Sequence, residues 1–169
     1  MVFDRPQQII AARASADCFF AQSYPFKELV IFNATPYALS RWWPPRRKCL
    51  EIRLKPRSPT QMVAICLENS NGEWCANWLP DCWYGPEYLN VHMQHRDKQR
   101  IVLFRHKQVY SLKDKKLVLV SNDSVLCWSF YRHFPIDLES KQPLVEQFGN
   151  RMEIDNPAQL IVKFAREIL

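Results

Sequence analysis

The sequence predicts an α+β fold: a mainly antiparallel sheet of about five to seven strands with N- and C-terminal helices packed on one side. Three observations lead there. Both ends carry apolar residues at helical spacing, the middle is a series of short β-branched and aromatic runs, and Asn71-Gly72 sits between two such runs as a hairpin turn would. The 169 residues are enough for a single domain over 1–169, and 47% hydrophobic with 24% charged residues is an ordinary globular balance.

In chain order, Asp4 caps the first helix, Pro6 fits its first turn, and Ile9, Ala12, Ala16, Phe19 and Phe20 form its apolar stripe until Tyr24-Pro25 ends it. Residues 27–32 (KELVIF) read as a short strand. Thr35 then caps a helix of two turns with Pro36 at its first position, and Pro44-Pro45 stops it. Residues 48–55 alternate with period two, so Leu50, Ile52 and Leu54 are expected to face the core. A hairpin is expected over 62–78, further strands in RIVLFRHKQVYSL, KLVLVS and SVLCWSFYR, and a charged turn at 113–116. Asn156-Pro157 caps a closing helix in which Leu160, Ile161, Phe164 and Ile168 share a face.

Composition excludes some chemistry. With three glycines in the whole chain there is no Gly-rich phosphate loop, no dinucleotide fingerprint and no nucleophile elbow. The first residues lack the basic and apolar regions of a signal peptide, and no apolar stretch is long enough to span a membrane, which predicts a cytoplasmic protein without a membrane partner. The six cysteines are scattered through apolar surroundings and read as reduced, buried thiols.

The net charge of +6 is concentrated in two places. Residues 41–60 hold seven basic and one acidic residue, 91–120 hold eight basic and two acidic, and 61–90 hold four acidic and no basic ones. Polyanion binding needs cations to displace counterions and flat rings for stacking. The chain is therefore expected to be a non-catalytic nucleic-acid-binding module, for DNA or RNA, with no cofactor. Its surface would be built from two basic and aromatic blocks, 41–57 and 96–107, through Arg41, Trp42, Trp43, Arg46, Arg47, Lys48, Arg53, Lys55, Arg100, Arg105 and Lys107.

The alternative is an interaction or assembly subunit docking on a protein partner through the Trp-rich acidic segment 73–88, with Trp74, Trp78 and Trp83 exposed. A metal-dependent nuclease using Glu51 ranks third, because no upstream Asp is placed to share the metal. Cys75, Cys82, His92 and His95 are of zinc-ligand type, but their spacing lacks a C-x-x-C, and no metal site is expected.

Overall fold

The computed structural model describes residues 1–42 and 48–96, together with the backbone of the strands at 101–104, 106–111, 116–121, 128–131, 151–154 and 161–165. Its first half is parallel β/α, which replaces the expected mainly antiparallel sheet. Strands β1 (Val2–Phe3), β2 (Leu29–Asn33) and β3 (Cys49–Arg53) lie side by side in that order, all parallel. Val2 pairs with Phe32, and the β2–β3 register runs from Leu29 opposite Cys49 to Asn33 opposite Arg53. All five residues of β2 are buried. A central parallel strand is covered on both faces, so its sequence is a continuous apolar run without alternation.

Helix α1 (Ile9–Phe20) is the crossover from β1 to β2 and buries Ala12, Ser15, Ala16 and Phe19. Helix α2 (Pro59–Glu68) follows β3. It starts with a capping box, in which the Ser58 hydroxyl accepts from the Gln61 N–H while the Gln61 side chain accepts from the Ser58 N–H, and Pro59 occupies the first turn. The hairpin expected over 62–78 is thus a helix followed by strand β4 (Trp74–Ala76). Asn71-Gly72 serves another purpose: the Glu28 carboxylate accepts from both backbone N–H groups and from the Asn71 side chain, tying the α2–β4 connection to the start of β2.

Strand β5 (Cys82–Tyr84) and helix α3 (Tyr88–Gln94) complete the three helices among the described residues. The later strands are β6 (Ile101–Phe104), β7 (His106–Ser111), β8 (Lys116–Ser121), β9 (Trp128–Tyr131), β10 (Arg151–Ile154) and β11 (Ile161–Ala165). They form two mixed sheets, in the orders β10-β6-β9-β4 and β5-β11-β7-β8. The expected C-terminal helix is in fact strand β11, antiparallel to β5 and parallel to β7. The charged turn expected at 113–116 falls outside the described residues except for Lys116, which opens β8.

One aromatic cluster ties helix α1 to the segment around β5. Trp78 is buried, stacks on Tyr84 at 3.8 Å between ring centroids, and meets Phe19 edge-on at 5.2 Å. Its indole N–H donates to the Ser15 carbonyl at 3.0 Å, and the Ser15 hydroxyl donates to the Leu79 carbonyl at 2.6 Å. The Gln22 amide donates to the Gly85 carbonyl and accepts from the Leu89 N–H, fixing the end of α1 to the start of α3. Among the described residues no helix is long and apolar enough to cross a membrane.

Candidate functional site

In open parallel sheets, ligands settle outside the carboxyl ends of the strands, where the loops leave and the helix N-termini point. In this chain the carboxyl edge is formed by Asp4–Gln8 after β1, Ala34–Trp42 after β2, and Arg53–Leu54 at the end of β3.

The second of these loops is held rigidly. Asn33 ends β2, and its side-chain oxygen accepts from the Thr35 N–H at 2.8 Å and the Thr35 hydroxyl at 2.7 Å. Its NH2 donates to the Tyr37 carbonyl at 2.6 Å and to Glu51 Oε1 at 2.5 Å. The same Glu51 oxygen accepts from the Leu39 N–H at 2.9 Å, and Arg53 donates to the Pro36 carbonyl at 2.7 Å. Thr35 is therefore a turn residue held by Asn33, where a helix N-cap was expected, and the two-turn helix reduces to a single 3-10 turn at Ser40–Trp42. Leu39 is fully buried and anchors this turn. The sequence signal for the arrangement was Asn-Ala-Thr immediately after an apolar run.

The predicted surface residues are divided by the fold. Arg41 and Trp42 are exposed on the 3-10 turn, and the Arg13 guanidinium of α1 lies 4.7 Å from the centre of the Trp42 ring. Arg53 and Lys55 are exposed at the carboxyl end of β3, whereas Lys48 precedes its amino end, where its carbonyl accepts from Leu29 N–H. Among the described residues of the first basic block, Arg41, Arg53 and Lys55 thus stand at the carboxyl edge of the sheet and Lys48 alone at the amino end of β3. Trp43, Arg46, Arg47, Arg100 and Arg105 lie outside the described residues, and Lys107 is placed in β7 by its backbone alone.

The Trp-rich segment 73–88 is largely interior, which corrects the expectation of an exposed anchor: Trp78 is buried, Trp74 half-buried, and only Trp83 exposed. Glu51, the acid of the nuclease reading, accepts the loop hydrogen bonds described above. Cys75 and Cys82 sit on different strands, and His92 is buried with its ring against Tyr88 at 4.5 Å. Among the described residues no three His, Cys, Asp or Glu side chains are grouped to hold a metal ion.

A cavity of about 170 Å3 lies elsewhere, at the amino ends of β1 and β2. It is bounded by Met1, Leu29 and Val30 of these strands, by Trp74 and Ala76 of β4, and by Leu89 and His92 of α3.

These features define a parallel β/α arrangement in which the segments Asp4–Gln8 and Ala34–Trp42 border the carboxyl edge of the first sheet. No family model and no curated protein matches the sequence. Among solved structures, the chain has the fold of TarS from S. aureus. Fragment 1–349 superposes with a TM-score of 0.67 over 96% of this chain, at 10% identity. The same fragment in complex with UDP gives 0.66 over 98%, and in complex with UDP-GlcNAc 0.61 over 90%, at 10% and 11% identity. This chain spans 59% of the length of the first two and 54% of the third.

The expectation of a nucleic-acid-binding module with a nucleic-acid partner is overturned by this likeness. The structures that share the fold hold a nucleotide and a nucleotide sugar.

Proposed function

We propose that this chain is the nucleotide-sugar-binding part of a glycosyltransferase, and that it takes a UDP-type donor at the carboxyl ends of β1 and β2. The observation that carries the reading is the likeness over nearly the whole chain to a fold solved with UDP and with UDP-GlcNAc. Local geometry supports it. After β1 the chain makes a 3-10 turn at Pro6–Gln8 that leads into helix α1, so the positive end of the helix dipole lies towards the carboxyl edge. Arg53 at the end of β3 adds positive charge at the same edge, where Arg5 is paired with Asp4 at 3.8 Å.

Glycosyl transfer breaks the bond between the anomeric carbon and the β-phosphate oxygen, and the nucleoside diphosphate departs with the bonding electrons. The acceptor oxygen forms the new bond and gives up its proton. Charge grows on the leaving diphosphate, so fixed positive groups at its binding position stabilise the transition state more than the ground state. The pinned loop at 34–42 is suited to this, because a crevice wall that does not reorganise preserves such stabilisation. We place the protein in the cytoplasm on the cysteine pattern; the five described cysteines are all free thiols.

Calorimetric titration with UDP and UDP-GlcNAc tests the reading. Saturable binding of both, unaffected by an excess of duplex DNA, is expected. Absence of binding to either would overturn it.

A further inference from the structure

The cavity at the amino ends of β1 and β2 is on the far side of the sheet from the nucleotide crevice and has no part in the donor binding proposed above. Folded interiors are packed as densely as organic crystals, with few voids larger than a water molecule. This pocket is partly open to solvent, so its volume of about 170 Å3 is that of a ligand-accessible recess and not of a packing void; it is close to the roughly 150 Å3 at which an engineered apolar cavity takes up benzene.

Its walls are aromatic and aliphatic: Phe19, Tyr24, Trp74, Trp78 and Leu89 contribute, and the exposed Phe26 stands at the rim with its ring edge-on to Tyr24. A single cationic side chain, Lys27, lines it. The Lys27 ammonium donates to the carbonyls of Gln22 and Tyr24, which fixes its position, and among the described residues it has no carboxylate partner. Burial lowers its pKa from the ordinary lysine value. Glu28, also in the wall, is engaged by the backbone and side chain of Asn71 and by the Gly72 N–H. The site therefore offers an apolar volume of single-ring size beside the Lys27 ammonium, which is held by neutral carbonyls, with the Met1 ammonium donating to the Val30 carbonyl and the Glu28 carboxylate taken up by Asn71 and Gly72.

We propose that this cavity binds a small aromatic carboxylate, with its ring among Phe19, Trp74 and Trp78 and its carboxylate on Lys27. Aromatic walls favour edge-on and offset contacts with a ring, and an ammonium held by neutral carbonyls gains a charge-assisted hydrogen bond from an incoming anion. Such binding would add stability at a site remote from the donor.

Phenylacetate is a suitable probe, with toluene as its uncharged counterpart. At concentrations roughly a hundredfold above Kd, phenylacetate should raise Tm by about 5 °C, and Lys27→Met should reduce that shift while leaving the response to toluene unchanged. Ala76→Leu, which fills the cavity from β4, should abolish both responses. If Ala76→Leu fails to fold, Leu67→Phe fills it from α2 with the same expected result. The proposal is overturned if phenylacetate leaves the wild-type Tm unchanged, if Lys27→Met responds to it as the wild type does, or if the filled variants still respond.

Discussion

Asn33 donates to Glu51 across the β2–β3 pair at 2.5 Å, and this contact joins the others that hold the loop at the carboxyl edge. The same carboxylate oxygen also serves the Leu39 N–H. Removing it leaves two donors without their acceptor, one of them beside the fully buried Leu39. Glu51→Ala should cost about 2–3 kcal/mol, while Glu51→Gln keeps an acceptor and should cost about 1 kcal/mol. Urea midpoints of the three proteins measure this. Equal stability of Glu51→Ala and wild type would show that the loop is held by other contacts.

Trp78 and Ser15 act as a linked pair between helix α1 and the segment that leads into β5. Trp78→Ala removes a buried ring stacked on Tyr84 and should cost about 3–5 kcal/mol. Ser15→Ala removes one buried hydrogen bond and should cost about 1 kcal/mol. Because both contacts hold the same segment against α1, the double variant should lose less than the sum of the two single ones. Additive losses in a double-mutant cycle would show that the two contacts are independent.

His92 gives a stability dependence on pH. Burial pushes its pKa down to about 3, with a smaller contribution from His95. An unfolded histidine has a pKa of roughly 6.5, so between that value and the folded one the unfolded chain binds a proton that the folded chain does not. This contribution to stability is present at neutral pH and is lost as the pH falls through that window. The slope for this group is up to about 1.4 kcal/mol per pH unit. Unfolding midpoints between about pH 4 and pH 7 should fall more steeply with acid in the wild type than in His92→Gln or His92→Phe. Parallel curves would contradict the buried, neutral state of this ring.

The sequence shows where many elements lie but not how they pair. Periodicity locates helix α1 and strands β2 and β3, and the backbone of β6 to β9 follows the apolar runs expected there. Parallel pairing was not anticipated, although Leu29–Phe32 is an unbroken apolar run, the pattern of a strand covered on both faces. The β3 alternation does not mark a core face: Leu50 and Leu54 are 45% and 43% exposed, because β3 is the edge of its three-stranded sheet among the described pairings. Helix α2 is hidden by its β-branched and sulfur-containing residues, yet Ser58-Pro59-Thr60-Gln61 is a capping-box signature that could have revealed it. Residues 161–165 fit either period, and the open position between β5 and β7 decides for a strand.

The site is less legible, because charge density along a chain does not specify proximity in space. Lys48 and Arg53 are five positions apart in sequence and stand at opposite ends of one strand. Trp42, Trp78 and Trp83 look alike in sequence, but Trp78 is interior while the other two are exposed; the difference comes from their tertiary neighbours. The elements that do point to the carboxyl edge are an Asn closing an apolar strand and the short segment that leads from β1 into helix α1, and both acquire meaning only once the strands are known to be parallel.

The most direct measurement is a crystal structure of the protein soaked with UDP. Donor binding at the carboxyl edge predicts nucleotide density between Asp4–Gln8 and Asn33–Tyr37. Density instead in the cavity beside Trp74 and Trp78, or no bound nucleotide at saturating concentration, would contradict it.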